Sequence, residues 1–124
     1  MVDSEKIDSL FDRVLELAKK GWGNTHPNPM VGALIVEDGE VVAEGFHEHA
    51  GSAHAEVAAF SELGRKPYEG ATLFVSLEPC STHGRTPPCT DTIINSGIKQ
   101  VYVGCSDPNP EHSNRGLEIL RESG

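Results

Sequence analysis

The chain has 124 residues, the size of one ordinary domain, and burial scaling predicts that roughly two-thirds of its unfolded surface is hidden on folding. Its 10 Lys and Arg residues against 19 Asp and Glu give a formal charge of −9, which argues against long nucleic acid as a partner. The three cysteines are an odd number, which disfavours a secreted disulfide scaffold. No apolar run approaches the roughly 20 residues of a spanning helix, and the first residues do not resemble a signal peptide. We therefore expect a cytoplasmic protein with no membrane partner.

The first part of the chain predicts a helix followed by a hairpin. Apolar residues recur at helical spacing from Ser4 to Lys20, and Gly21 ends this stretch. Two short apolar runs, Val31 to Val36 and Val41 to Phe46, are joined by an Asp-Gly turn. They predict a β-hairpin whose first strand is central in the sheet. Trp22, just after the first helix, is expected to pack rather than to recognise a ligand.

The rest of the chain alternates helices and strands. In order, the pattern predicts a helix over about Ala53 to Leu63, a strand within Ala71 to Leu77, a helix from near Pro88 to Gly97, a strand over Gln100 to Cys105 and a helix over Leu117 to Arg121. Because crossover helices make the later strands parallel, we predict a three-layer α/β/α fold. Its mixed sheet combines the N-terminal antiparallel hairpin with the parallel strands that follow, and helices cover both faces. Residues 1–124 are predicted to form a single domain.

Three segments supply side chains that bind metal ions: His54-Ala55-Glu56, Pro79-Cys80 and Pro88-Cys89. The predicted elements place His54 and Cys89 in the first turns of two helices and Cys80 in the loop that leaves a strand. All three then lie at the edge of the sheet where strand ends meet helix N-termini, the usual location of α/β active sites. A single ion could therefore bind all three side chains.

One imidazole and two thiolates suit Zn²⁺, and three protein ligands leave a fourth position for water, which is typical of a catalytic site. Water in such a site ionises near pH ~7. Glu56 follows a ligand by two residues, so its carboxylate can move protons without binding the ion. The alternatives are a structural zinc site or buried residues that bind no metal. Cys105, at the end of a strand, is predicted to be an inert core cysteine.

The motifs resemble those of the zinc deaminases, in which H-x-E is followed by P-C-x-x-C. Here eight residues rather than two separate Cys80 from Cys89, and this insertion resembles that of the riboflavin-pathway deaminases. The resemblance covers nearly the whole chain. Further motifs that carry it are His26-Pro27-Asn28-Pro29-Met30-Val31-Gly32, Gly45-Phe46-His47, Leu77-Glu78-Pro79-Cys80, Gly84-Arg85-Thr86-Pro87-Pro88-Cys89 and Asp107-Pro108-Asn109-Pro110.

This resemblance implies a cytidine-deaminase-like fold, a zinc cofactor and a hydrolytic enzyme. The implied substrate is a small phosphorylated pyrimidine, the riboflavin precursor that carries a ribosylamino phosphate, which loses its ring amino group as ammonia. The family's substrate contacts carry over to Asn28 and His47 for the ring and to Arg85, Thr86 and Asn109 for the sugar phosphate. We also expect a homo-oligomer.

Three features depart from the family pattern. After Asp107-Pro108-Asn109-Pro110 the family tends to carry a run of small residues and glycine, whereas this chain has His112-Ser113-Asn114 before Arg115-Gly116. Thr82 stands where the family has a histidine directly after Pro-Cys-Ser, and His83 comes one place later. The family also continues beyond this length with another strand and commonly a reductase domain, so we expect either a deaminase-only protein or part of a longer bifunctional one. Deamination of cytosine, guanine or a tRNA adenosine is an alternative, against which the long Cys80-to-Cys89 spacing argues. A non-catalytic zinc-binding module is a further alternative.

Overall fold

The structure is a computed structural model that describes residues 4–23, 30–49, 53–79, 89–104 and 115–122. Within these ranges it has four helices, α1 to α4, over Ser4–Lys19, Ala55–Leu63, Cys89–Ser96 and Arg115–Glu122. The same ranges contain four strands, β1 to β4, over Gly32–Glu37, Glu40–Phe46, Thr72–Val75 and Gln100–Val103. Each predicted element is present, with ends that differ by at most two residues.

The four strands form one mixed sheet in the order β2-β1-β3-β4. β1 is antiparallel to both of its neighbours, and β3 and β4 are parallel. The central position of the first hairpin strand and the parallel pairing of the later strands are thus confirmed. Six consecutive buried residues in β1 agree with this position, because a central strand is covered on both faces.

The hairpin turn follows from two residues that tolerate a left-handed backbone. Asp38 and Gly39 have φ angles of 52° and 79°, as a two-residue type I′ turn requires. The register shifts between Ile35 and Val36, so that Val42 is an extra residue on β2.

Alternate residues of the strands point to opposite faces of the sheet, and helices pack on each face. On one face, α1 contributes Leu10, Val14 and Leu17 to a cluster with Leu34 and Phe74. On the other face, Ala55 and Ala59 of α2 and Ile93 of α3 pack with side chains from the middle of the sheet, namely Ala33, Ile35, Leu73 and Val75. The predicted three-layer α/β/α arrangement is confirmed.

Trp22 is 73% exposed, so the prediction that it packs is wrong. The buried stripe of α1 ends at Leu17 and Ala18, and Trp22 lies in the turn that follows the helix. No helix in the described ranges is both long and apolar enough to span a lipid bilayer.

Candidate functional site

The N-terminus of α2 presents two of the predicted site residues. His54 is the N-cap, with an extended backbone (φ −65°, ψ 159°), and Glu56 lies in the first turn. Because His54 is extended, the helix begins at Ala55, two residues later than predicted. Glu56 is only 4% exposed. A buried carboxylate therefore lies two residues from the predicted histidine ligand.

Small residues let α2 approach β2 closely. Ala55 and Ala59 are fully buried, and the residue opposite them on β2 is Gly45. A Cβ on Gly45 would overlap the carbonyl oxygen of Ala55 and lie 2.5 Å from the backbone nitrogen of Ala59. Since ordinary Cβ contacts are longer than 3.0 Å, only glycine allows this spacing. The position of His54 and Glu56 thus depends on a residue of the neighbouring strand.

The N-terminus of α3 brings the second predicted ligand to the first. Cys89 is the first residue of α3 and is buried. Its Sγ atom lies 3.2 Å from Nδ1 of His54, although 35 positions separate the two residues in the sequence. Both side chains lie at helix N-termini, whose positive potential favours a thiolate over a thiol.

The spacing of these two atoms fits a shared zinc ion. Zn–N and Zn–S bonds of about 2.05 and 2.3 Å at a tetrahedral angle place two such ligand atoms roughly 3.6 Å apart. The observed separation of 3.2 Å is close to this value. The pair also has the correct chemistry, because an imidazole nitrogen and a thiolate are ligands that zinc prefers. His54 and Cys89 are therefore suited to hold Zn²⁺ together.

Cys80, the third predicted ligand, lies outside the described residues. The chain reaches it from β3 through Glu78 and Pro79, which are both buried. In the described part of the chain, no group of three His, Cys, Asp or Glu side chains is placed to hold a metal ion. Cys80 therefore stays a prediction as the third ligand.

His47 lies directly beside His54. It is 3% exposed, and its ring meets that of His54 edge to face at a centroid distance of 5.6 Å. Nδ1 of His47 is 3.1 Å from the carbonyl oxygen of Ala53, so Nδ1 donates this hydrogen bond. His47 thus contacts the segment that leads into the candidate ligand, in addition to its predicted substrate contact. The other predicted substrate residues, Asn28, Arg85, Thr86 and Asn109, lie outside the described residues.

Glu78, for which the sequence predicts no role of its own, links the site to α4. The carboxylate of Glu78 is 5% exposed, and its Oε2 accepts a hydrogen bond from the backbone N–H of Gly116 at 2.8 Å. The N–H of Leu117 lies 3.4 Å from the same oxygen. This capping explains why α4 begins two residues before its predicted start at Leu117. The glutamate directly before Pro-Cys could have indicated a role for this side chain. Its hydrogen-bond partner, Gly116, lies 38 positions away along the chain, so the contact itself could not be predicted.

The carboxylates of Glu37 and Glu44 have a lowered pKa, and each belongs to an ion pair. The Arg65 guanidinium, with a further hydrogen bond from the N–H of Tyr68, lowers the pKa of Glu37 below its usual 4.5. Arg13 lowers the pKa of Glu44 in the same way, by a hydrogen-bonded pair between α1 and β2. Glu37 ends β1 beside the hairpin turn, whereas the candidate site lies beyond the opposite end of β3. The Arg65–Glu37 pair therefore stabilises the end of the sheet that is remote from the site.

A known protein family matches most of the chain. The family model described as "Cytidine and deoxycytidylate deaminase zinc-binding region" matches residues 4–105. The riboflavin biosynthesis protein RibD of Aquifex aeolicus is 58% identical over 120 residues, which cover 96% of this chain and 33% of that protein.

Two solved structures have the same fold. The Thermotoga maritima diaminohydroxyphosphoribosylaminopyrimidine deaminase/5-amino-6-(5-phosphoribosylamino)uracil reductase has a TM-score of 0.89 at 51% identity, and the match covers 97% of this chain and 35% of that one. The Aspergillus oryzae Rib2 deaminase, in complex with DARIPP, has a TM-score of 0.79 at 25% identity, with coverage of 96% and 80%. The chain thus spans about a third of the length of the RibD protein that it matches. Because the family model covers most of the sequence, the chain belongs to the cytidine and deoxycytidylate deaminase family that this zinc-binding region defines.

Proposed function

We propose that the chain is the zinc-dependent deaminase of the riboflavin precursor, a diaminopyrimidinone that carries a ribosylamino phosphate. The observation that carries the proposal is the 3.2 Å approach of His54 Nδ1 to Cys89 Sγ at two helix N-termini, with the buried carboxylate of Glu56 in the first turn of α2. The names of the RibD and Rib2 proteins support the choice of substrate. Residues 1–124 supply one deaminase domain in this proposal, whether alone or within a longer protein.

His54, Cys80 and Cys89 are the proposed zinc ligands. If Nδ1 of His54 bound the ion, Nε2 would carry the ring proton. When bound, zinc lowers the pKa of water so that hydroxide is available as a nucleophile near neutral pH. His47 supports this ligand, because its hydrogen bond to Ala53 fixes the segment that precedes His54.

Glu56 is the proposed proton carrier. Its carboxylate accepts a proton from the attacking water and donates it to a ring nitrogen. It then accepts the proton of the hydroxyl group that the water has added and transfers it to the departing amine, as the ring carbonyl forms and the C–N bond breaks. The net reaction consumes water, replaces the ring amino group with a carbonyl oxygen and releases ammonia. Burial suits this role, because a carboxylate shielded from bulk water exchanges protons mainly with the bound reactants.

The proposed substrate contacts are Asn28 and His47 for the ring and Arg85, Thr86 and Asn109 for the sugar phosphate. Arg85 lies between two proposed zinc ligands in a chain with a net charge of −9, so a cation there favours an anionic substrate. The homo-oligomer stays a prediction, which light scattering would test. The cytoplasmic location also stays a prediction.

A substrate panel tests the proposal. Zinc-loaded protein is incubated with the phosphorylated precursor, its dephosphorylated form, cytidine, deoxycytidylate, cytosine and guanine, and released ammonia is measured. We expect ammonia mainly from the phosphorylated precursor and almost none with the Glu56→Gln protein as control. Release mainly from a free base or a nucleoside would assign the enzyme to another substrate class. Zinc binding with no ammonia from any compound would favour a non-catalytic zinc module.

A further inference from the structure

Glu78 ties the segment that leads to Cys80 to the start of α4. The first backbone N–H groups of a helix have no partner within it, and here the Glu78 carboxylate accepts hydrogen bonds from two of them, at 2.8 Å and 3.4 Å. The positive end of the helix dipole favours a negative charge at this point. Because Glu78 is 5% exposed, water cannot readily replace these bonds.

A second contact holds the same two segments together. A Cβ on Gly116 would overlap the carbonyl oxygen of Pro79 and lie 3.3 Å from Oε2 of Glu78. A backbone oxygen cannot rotate away as a side chain can, so α4 lies directly on the backbone of Pro79. Gly116 therefore permits the close approach, and Glu78 supplies the hydrogen bonds that hold it.

We propose that Glu78 and Gly116 are positioning residues for the metal centre, since they fix the direction from which Cys80 reaches the zinc ion. One peptide bond joins Pro79 to Cys80, so a displacement of Pro79 shifts the position of the next residue directly. This inference rests on the proposed function, because it takes Cys80 as a zinc ligand. It assigns to α4, which carries no proposed site residue, a role in metal binding.

Zinc affinity of the full chain, measured by competition with a chelator, tests the inference. Groups that orient metal ligands typically contribute about 10- to 100-fold in metal affinity, so Glu78→Ala should weaken zinc binding by about that factor. Glu78→Gln should bind zinc nearly as well as the unaltered protein, because an amide oxygen can accept the same two hydrogen bonds. Gly116→Ala provides the test independently if Glu78→Ala does not fold, and we expect a similar loss of affinity.

A matched control separates positioning from general stability. Glu37 is also buried and also accepts hydrogen bonds from another segment, through Arg65 and Tyr68, but at the far end of the sheet. Glu37→Ala should lower the unfolding temperature while zinc affinity stays unchanged. Cobalt-substituted protein gives a second measurement, because the thiolate-to-cobalt charge-transfer band weakens when one cysteine binds poorly. We expect that weakening for Glu78→Ala and not for Glu37→Ala.

Each result decides between the possibilities. Unaltered zinc affinity in both the Glu78→Ala and Gly116→Ala proteins would refute the positioning role. Equal losses of zinc affinity for Glu78→Ala and Glu37→Ala would mean that the effect comes from lower stability. A Glu78→Gln protein that binds zinc as weakly as Glu78→Ala would mean that it comes from the loss of negative charge. Either result would overturn the inference. If the unaltered protein binds no zinc, the proposed function fails first, so the two failures are distinguishable.

Discussion

Replacing Gly45 with alanine should lower kcat strongly while the protein still folds. The added Cβ would overlap the carbonyl oxygen of Ala55 and lie 2.5 Å from the backbone nitrogen of Ala59. Ordinary contact begins at 3.4 Å, so α2 and β2 must separate by at least about 0.9 Å. Overpacking of this kind costs about 1–3 kcal/mol of folding free energy. Because α2 begins beside His54 and carries Glu56, the retreat displaces both from Cys89. A misplacement of about 1 Å typically lowers the rate about 10²-fold, so we expect kcat to fall by that factor with zinc present in excess.

Gly32→Ala is the matched control for this experiment. A Cβ on Gly32 would overlap the carbonyl oxygen of Val14 and lie 2.9 Å from the nitrogen of Ala18, so it displaces α1 on the opposite face of the sheet. We expect a similar loss of stability, measured by thermal unfolding, with kcat close to that of the unaltered protein. If Gly45→Ala retained full kcat, or if Gly32→Ala lost as much, the close approach of α2 would not set the geometry of the site.

Four further predictions concern the metal, the proton carrier, the phosphate and the pH dependence of stability. Elemental analysis should find one zinc per chain, and Cys80→Ala should lose most of it; zinc retention by that variant would remove Cys80 from the ligand set. Glu56→Gln should keep zinc and fold while kcat falls by about 10⁴-fold, the upper end for general acid–base catalysis, so near-normal turnover would place the proton transfer elsewhere. Arg85→Ala should lower kcat/KM for the phosphorylated substrate by about 10- to 100-fold and spare its dephosphorylated form, since a charge-assisted bond contributes roughly 1.5–3 kcal/mol. Equal losses on both substrates would mean that Arg85 only shapes its loop. Because the pKa of Glu37 is lowered from 4.5 in the folded state, its ion pair stabilises the protein above that pH, and the contribution is lost as the pH falls through the folded pKa. The difference in unfolding temperature between the unaltered and Glu37→Gln proteins should therefore be largest above about pH 5 and shrink on acidification, and a constant difference would contradict this assignment.

Local chemistry explains why much of the fold could be predicted. Asp38-Gly39 favours a left-handed turn whatever surrounds it, and Gly64 ends α2 in a left-handed conformation (φ 70°) for the same reason. The start of α2 was harder to predict from the sequence. His54 takes the N-cap position, although histidine is not among the residues that commonly cap a helix. The start of α4 depends on Glu78, a residue from a distant segment, and no local pattern encodes such a contact.

Some features of the site could likewise be predicted from the sequence, and others could not. The pairing of His54 with Cys89 could be predicted, because ligand chemistry and helix starts are both visible in the sequence. In the structure, His54 Nδ1 lies 3.2 Å from Cys89 Sγ. The importance of Gly45 could not be predicted, since its role is to leave room for the backbone of α2, and a missing side chain carries no chemical signal. The exposure of Trp22 was missed for a related reason: hydrophobicity predicts burial only where another element covers the residue.

The contacts at the two ends of the sheet differ in how far they can adjust, which bears on how the protein tolerates substitution. At the hairpin end, flexible side chains such as those of Arg65 and Glu37 join the segments, and they can adjust to a neighbouring change. At the site end, backbone meets backbone, at Gly45 against α2 and at Gly116 against Pro79, and neither contact can adjust without moving a helix. Substitutions of equal cost to folding should therefore have unequal effects on activity. We therefore expect substitutions to be tolerated best near the hairpin turn and least at Gly45 and Gly116, where an added Cβ would overlap backbone atoms.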